Sequence, residues 1–224
     1  MKPVLSIGIA ACLALGALPA AASQSAFETL VARWKAVHAY EFNVGATERA
    51  GSASMIVSMH VTVDLDRRSE RLAITHGPNH GSVVTWTEGG DVNIKLPGVL
   101  GVVPVHAPIR DGRFLSLRGN DLRVADLEKV LDCYAAHRSS MVEAPGPDMD
   151  GDSTTSITIS DKDGIMCEGN DWPKEREVTR DELLVSNSTG WPRRRMRYEA
   201  GVPVEEWEIQ DVVVRNTGPV MKPG

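Results

Sequence analysis

The stretch Ser54-Met55-Ile56-Val57-Ser58-Met59-His60-Val61-Thr62-Val63 decides the fold class of this chain. Apolar side chains recur at every second position from Met55 to Val63, and most of the positions between them are polar. A period of two places successive side chains on opposite faces of a strand. The stretch therefore predicts a long, half-buried strand.

Shorter segments with the same alternation occur in both halves of the chain. Turn residues such as Gly77-Pro78-Asn79 and Gly89-Gly90-Asp91 separate them, which is typical of an antiparallel meander. Alternation predicts strands over 70–75, 82–87, 91–96, 154–160, 181–187, 192–199 and 203–215. The last two are predicted to form a hairpin across Ala200-Gly201.

Two segments have helical spacing instead. Residues 25–38 begin with the capping pair Ser25 and Glu28, and residues 124–137 carry the second apolar stripe. Between strands and helix, 97–108 contains three prolines and two glycines among valines, which indicates an apolar loop that either acts as a lid or packs over one end of the core. We expect 144–153 to be a connector, 161–174 a turn-rich excursion, and the tail after Asn216 to be loose.

The amino terminus has the pattern of a secretory signal peptide. Met1 and Lys2 precede an apolar run over 4–18 and small residues over 19–23, so we predict residues 1–22 as the leader and 23–224 as a single domain. The alternative is a lipoprotein box, Ile9-Ala10-Ala11-Cys12, in which Cys12 would carry lipid. Export predicts a periplasmic location and excludes cytosolic functions.

Charge and cysteine content narrow the function classes further. The formal net charge is −6, which disfavours nucleic acid as a partner. Cys133 and Cys167 follow the leader, and an even pair in an oxidising compartment predicts a disulfide, with two separate buried thiols as the alternative. No later stretch approaches the roughly 20 apolar residues that cross a bilayer as a helix.

The closing segment carries a family resemblance. Gly190-Trp191-Pro192 is followed by the charged strand Arg193-Arg194-Arg195-Met196-Arg197-Tyr198, a turn at Gly201, and a strand that runs through Trp207 towards Asn216. This ending, together with the element order, resembles the LolA-like fold of bacterial lipoprotein carriers and periplasmic sensors, and is closest to an uncharacterised family of exported bacterial proteins. The resemblance implies an α+β fold: a curved antiparallel sheet forming an open half-barrel, with helices packed on a concave apolar face that receives acyl chains.

Motifs for chemistry are weak. There is no Gly-x-Ser-x-Gly, and Gly-Pro between His76 and His80 prevents the helix that would align both rings on a metal. Asp148-Met149-Asp150-Gly151-Asp152 imitates the start of a calcium loop, but its glycine is misplaced, so a solvated acidic turn is the preferred interpretation. Arg193, Arg195 and Arg197 share one strand face, which favours an exposed charged row, with a basic patch for an anionic head group or a protein partner as the alternative. We predict no catalytic residues, metal or cofactor.

The leading hypothesis is a periplasmic binding or carrier protein for a lipid or lipidated polypeptide, with peripheral membrane contact as a further possibility. The alternative is an envelope interaction or sensor protein with a closed core. Oligomeric state is not predicted. The expected ligand-binding residues are Met59, Val61, Val63, Leu72, Ile74, Ile94, Leu96 and Trp207.

Overall fold

The computed structural model describes residues 25–98, 105–111, 115–167 and 178–215. The leader with Cys12, the tail after residue 215, and parts of the 97–108 and 161–174 segments lie outside the described residues. Within them the chain forms the helices α1 (Ala26–Trp34) and α2 (Leu127–Ala136) and eleven strands. The strands are β1 (Ala39–Ala50), β2 (Ala53–Asp64), β3 (Ser69–His76), β4 (Val83–Thr87), β5 (Val92–Lys95), β6 (Val105–Ala107), β7 (Val142–Pro145), β8 (Thr154–Ser160), β9 (Arg180–Ser186), β10 (Pro192–Glu199) and β11 (Val202–Arg215).

All strands belong to one antiparallel sheet in the order β6-β5-β4-β3-β2-β1-β11-β10-β9-β8-β7. Two meanders, β1 to β6 and β7 to β11, are joined edge to edge where β1 pairs with β11. In the described chain β6 and β7 form the two outer edges, so the sheet is open. The predicted class, an α+β fold with an open curved sheet, is confirmed.

The predicted long strand is β2, and its partner β1 is continuous with it in register from Ala39↔Asp64 to Ala50↔Ala53. Side chains at alternate positions of β1 to β4 form rows across the inner face. One row contains Phe42, Val61, Leu72 and Val84, which are all buried. These rows place the core on one side of the sheet, as period-two alternation requires.

Both helices lie on that inner face. α1 buries Phe27, Leu30 and Trp34, and α2 buries an apolar stripe that includes Tyr134. The rings of Phe27 and Tyr134 stack with centroids 6.4 Å apart, so the helices also pack against each other. The two helices therefore form the second layer of the domain, packed against the inner face of the sheet.

The observed helices are shorter than predicted. α1 ends at Trp34, and the segment predicted to start at residue 124 is a 3-10 turn over Leu122–Ala125 before α2 begins. Asp126 causes the break, because its extended backbone makes it the N-cap of α2 and its Oδ1 accepts a 2.8 Å hydrogen bond from Glu128 N–H.

Neither edge strand was predicted: β6 lies in the segment 97–108 that was predicted as a loop, and β7 starts two positions before the predicted connector 144–153. β6 pairs only with β5, through Val92↔Ala107, and β7 pairs only with β8, through Val142↔Thr158, within the described chain. Each is short, and β7 ends in Pro145, so their pairing leaves a weak local signal.

Cys133 of α2 is bonded to Cys167, which confirms the predicted disulfide. The bond joins α2 to the segment that follows β8. Within the described ranges, the helices fall short of the length and apolar character that membrane crossing requires.

Candidate ligand cleft

A cleft of about 170 Å³, partly open to solvent, lies on the inner face between the sheet and the segment that precedes α2. Strands β1 to β4 and β11 supply one wall and residues 115–125 supply the other. The lining side chains are Ala46, Glu48, Met55, Val57, Met59, Leu72, Ile74, Pro78, Asn79, Val84, Leu115, Ser116, Asn120, Asp121, Ala125 and Trp207.

The sheet register explains why this wall is apolar. Ala46 lies between Val57 of β2 and Trp207 of β11, and Met59 lies beside Ile74 of β3. All five side chains line the cleft. The small side chain of Ala46 between two larger neighbours leaves space above the sheet. The flexible thioether of Met59 can change conformation to fit what occupies this space.

The structure divides the eight residues predicted to bind ligand into two groups. Met59, Leu72, Ile74 and Trp207 line the cleft. Val61, Val63 and Ile94 are buried in the core, and Leu96 is half-buried against it. Hence all eight contribute to the same apolar interior, and half of them face the cleft.

One end of the cleft is polar. Glu48 is 3% exposed, and the Asn120 amide donates to its Oε1 at 3.2 Å while Arg118 N–H donates to Oε2 at 3.2 Å. Asn120 also donates to Glu205 of β11 at 3.1 Å, so a single amide bridges the two carboxylates. Burial and the nearby Glu205 raise the pKa of Glu48, while hydrogen bonds from Ser116 and Asn120 lower it in part.

The guanidinium of Arg118 lies behind this polar end and is 1% exposed. It donates to Arg49 O at 3.0 Å and to Glu199 at 3.1 Å, and its Nε lies 3.3 Å from Glu205. These contacts join the 115–121 segment to β1, β10 and β11. The polar end is therefore anchored rather than a free surface loop.

From Glu205 the buried ion pairs continue across the sheet. Arg197 of β10 lies 3.2 Å from Glu205 and 3.1 Å from Asp181 of β9, and Arg195 donates to Asp181 at 2.6 Å. The pKa of Asp181 is lowered even though burial opposes this, because the two guanidinium groups and a hydrogen bond from Tyr134 favour the carboxylate.

These contacts overturn the exposed interpretation of the arginine row. Arg195 and Arg197 are buried because their side chains are on the inner face of β10, where Asp181 also contacts Tyr134 of α2. Arg193 is partly exposed. The row is not an edge strand, nor an exposed basic patch. It forms part of a charged stripe on the inner face.

A second polar cluster lies at the opposite end of the same face, where a small cavity of about 20 Å³ borders Glu70 and Asp126. Tyr40 donates to Asp126 Oδ1 at 2.7 Å and accepts from Leu127 N–H at 2.9 Å. Both oxygens of Glu70 are buried without a hydrogen-bond donor among the described residues. Burial first, and then the charges of Asp126 and Asp121, raise the pKa of Glu70 well above its usual range.

Sequence reasoning missed Glu48, Glu205 and Arg118. A signal exists for the first two, because the inward positions of β1 end at Ala46 and then Glu48, and Trp207 places Glu205 on the same face of β11. Arg118 lies outside any strand or helix, and its role depends on a long-range contact that no local pattern encodes.

The structure also shows the surroundings of the two sequence motifs considered for metal binding, the acidic turn and the histidine pair. Within the described ranges, no group of three or more histidine, cysteine, aspartate or glutamate side chains is arranged to hold a metal ion. In the acidic turn Asp150 and Asp152 face Arg193, at 3.1 and 3.8 Å. His76 ends β3 and His80 lies in the turn that follows, and both are exposed.

No protein-family model matches the chain, and no curated protein matches it by sequence. Solved structures do match. An uncharacterised conserved protein from Thermus thermophilus is 11% identical with a TM-score of 0.50, over 86% of this chain and 90% of that one. The lipoprotein LppX from Mycobacterium tuberculosis is 11% identical with a TM-score of 0.47, over 83% of this chain and 90% of that one.

A LolA superfamily protein from Nitrosomonas europaea matches over 86% of this chain and 94% of its own length, at 11% identity and a TM-score of 0.36. At such identities the matches concern the fold alone. The open antiparallel sheet with two helices, which the LolA-like resemblance implied, is the architecture observed in the described residues.

Proposed function

We propose that this chain is a non-catalytic binding or carrier protein for a lipid or a lipidated polypeptide, and that it acts in the periplasm. The observation that carries the proposal is the partly open apolar cleft between β1 to β4 and residues 115–125. Ligand sites are concave, mostly apolar and equipped with a few polar groups, and this cleft has that composition.

The size of the cleft favours the end of a single acyl chain. An apolar cavity of about 150 Å³ in a protein core holds a benzene-sized molecule, so about 170 Å³ accepts a short run of methylene groups. Each buried methylene contributes about 0.8 kcal/mol. The open side lets the rest of a longer chain extend out of the cleft.

The proposed location rests on two independent features. The first 22 residues have the pattern of an export signal, and Cys133 and Cys167 form a disulfide. Disulfides persist in oxidising compartments such as the bacterial periplasm.

The test is to extract lipids from protein purified natively from an envelope fraction and to measure binding of the uncharged fluorescent probe N-phenyl-1-naphthylamine. We expect co-purifying acyl species and saturable probe binding. Ala46→Leu adds bulk inside the cleft and should weaken probe binding about tenfold or more.

Ala73→Leu is the matched control. Ala73 lies on β3 between the inward residues Leu72 and Ile74, so its side chain is on the outer face of the sheet. Probe binding should not change in this variant. Absence of both acyl species and probe binding would remove the carrier function and leave the envelope interaction protein as the better hypothesis.

A further inference from the structure

We propose, on the basis of the function proposed above, that the cleft selects ligands whose polar head donates hydrogen bonds and carries no negative charge. A hydroxyl, amide or ammonium head satisfies this condition. A free carboxylate or a phosphate does not.

The polar groups at the end of the cleft set this preference. Glu48 contributes a carboxylate there, beside the Ser116 hydroxyl and the Asn120 amide, and Asp121 adds a second carboxylate to the lining of the cleft. The Asn120 amide is already committed, since its Nδ2 donates to both Glu48 and Glu205. Carboxylate oxygens have several lone pairs and accept additional donors.

The two described arginines nearest the cleft, Arg118 and Arg123, are paired with carboxylates of the protein. None of the described residues that line the cleft is a lysine or an arginine. Arg118 is buried against Glu199 and Glu205, and Arg123 is paired with Asp121. An anionic head would therefore approach carboxylates, and no guanidinium among the described lining residues would receive it.

The electrostatic cost of such an approach is large in this environment. Glu48 is buried directly opposite Glu205 of β11, so two carboxyl groups already share this region. A further negative charge in a region of low dielectric adds repulsion that water screens poorly. A donor-bearing head instead exchanges its hydrogen bonds with water for bonds to Glu48.

The experiment compares ligands with one acyl chain and different heads as competitors of N-phenyl-1-naphthylamine at neutral pH. Monolaurin and dodecylamine are expected to compete at concentrations at least about tenfold lower than laurate. Methyl laurate, which has neither charge nor donor, separates the two contributions and should lie between them.

Laurate competing as well as or better than monolaurin would overturn the head-group selectivity while leaving the carrier function in place. Failure of all four ligands to compete would contradict the carrier function itself. The two failures are therefore distinguishable.

Glu48→Gln tests the residue responsible. This substitution retains the side-chain shape and removes the charge, so laurate should gain about tenfold while monolaurin changes little. Glu208→Gln, an exposed position on β11, is the matched control and should leave the preference unchanged. If Glu48→Gln does not fold, the ligand series on the unmodified chain still decides the selectivity.

Discussion

Arg195 of β10 donates to Asp181 of β9 through both Nε and Nη2, with Nη2 2.6 Å from Oδ2, and both side chains are buried. Tyr134 of α2 donates to the same carboxylate at 2.9 Å. Asp181 is thus the point at which α2, β9 and β10 are joined through polar groups. Because the site is buried, Arg195 and Arg197 depend on the Asp181 carboxylate to balance their positive charges.

Replacing this carboxylate should be costly. Asp181→Ala leaves the guanidinium groups of Arg195 and Arg197 buried without their shared partner, so we expect a loss of about 3–5 kcal/mol in the free energy of unfolding. Urea unfolding followed by tryptophan fluorescence measures the change. Asp150→Ala removes a carboxylate from an exposed ion pair with Arg193 and should cost less than about 1 kcal/mol. Equal effects of the two variants would contradict the assigned role.

The features that could be predicted from the sequence are those set by residues close together in the chain. Alternation in β2 and the turn residues around it encode the strands locally, and the closing segment carried the fold resemblance. The strand register then brings Met59, Leu72 and Trp207 to one face of the sheet. This is why the apolar residues predicted from alternate strand positions lie in the same apolar interior.

The charged part of the interior could not be predicted in the same way. Arg195 and Arg197 have the spacing of an exposed row, and their burial follows from lying on the face of β10 that α2 covers. Which face of a strand is covered is a long-range property, and a strand rich in arginine is equally compatible with an edge. Arg118 and Asn120 come from an irregular segment, where side-chain parity gives no direction.

The carboxyl of Glu70 should make stability depend on pH. Burial and the neighbouring Asp126 raise its pKa in the folded protein above the unfolded value. The contribution of Glu70 to the free energy of unfolding is therefore complete below its pKa in the unfolded chain. This contribution is lost as the pH rises through the raised pKa of the folded state. The wild-type chain should lose stability across that range relative to Glu70→Gln, which cannot ionise.

Urea unfolding in buffers from mildly acidic to alkaline measures this difference. Glu88→Gln, at a partly exposed position paired with Arg68, is the control and should follow the wild-type curve. Parallel curves for the wild type and Glu70→Gln would show that this carboxyl does not titrate as its surroundings require.

Glu143 of β7 acts as a cap for α1 from across the fold. Its two carboxylate oxygens accept from Ala26 N–H at 2.8 Å and Phe27 N–H at 3.0 Å, in the first turn of the helix. These donors have no intrahelical acceptor, and a negative charge at this end also interacts favourably with the helix dipole. Glu143→Ala should therefore cost about 1 kcal/mol, with the range of about 0.5–2 kcal/mol known for N-cap removal.

The control for this cap is Glu208→Ala on the exposed face of β11, which should change the unfolding free energy by less than about 0.5 kcal/mol. Glu143→Gln separates charge from hydrogen bonding, because its single amide oxygen can still accept one of the two bonds. A stability for Glu143→Gln equal to that of the alanine variant would show that charge dominates the cap.

The disulfide should contribute mainly by restricting the unfolded chain. Cys133 and Cys167 are separated by 34 positions, and closing a loop of that size is worth up to about 4 kcal/mol on the chain-entropy model. The double variant Cys133→Ala and Cys167→Ala should therefore unfold at a lower urea concentration, and reducing agent should shift the wild type in the same direction. Reducing agent should leave the double variant unchanged. A wild-type midpoint that does not respond to reduction, with free thiols confirmed by mass spectrometry after alkylation, would mean that α2 is held by packing and by Tyr40 and Tyr134 alone.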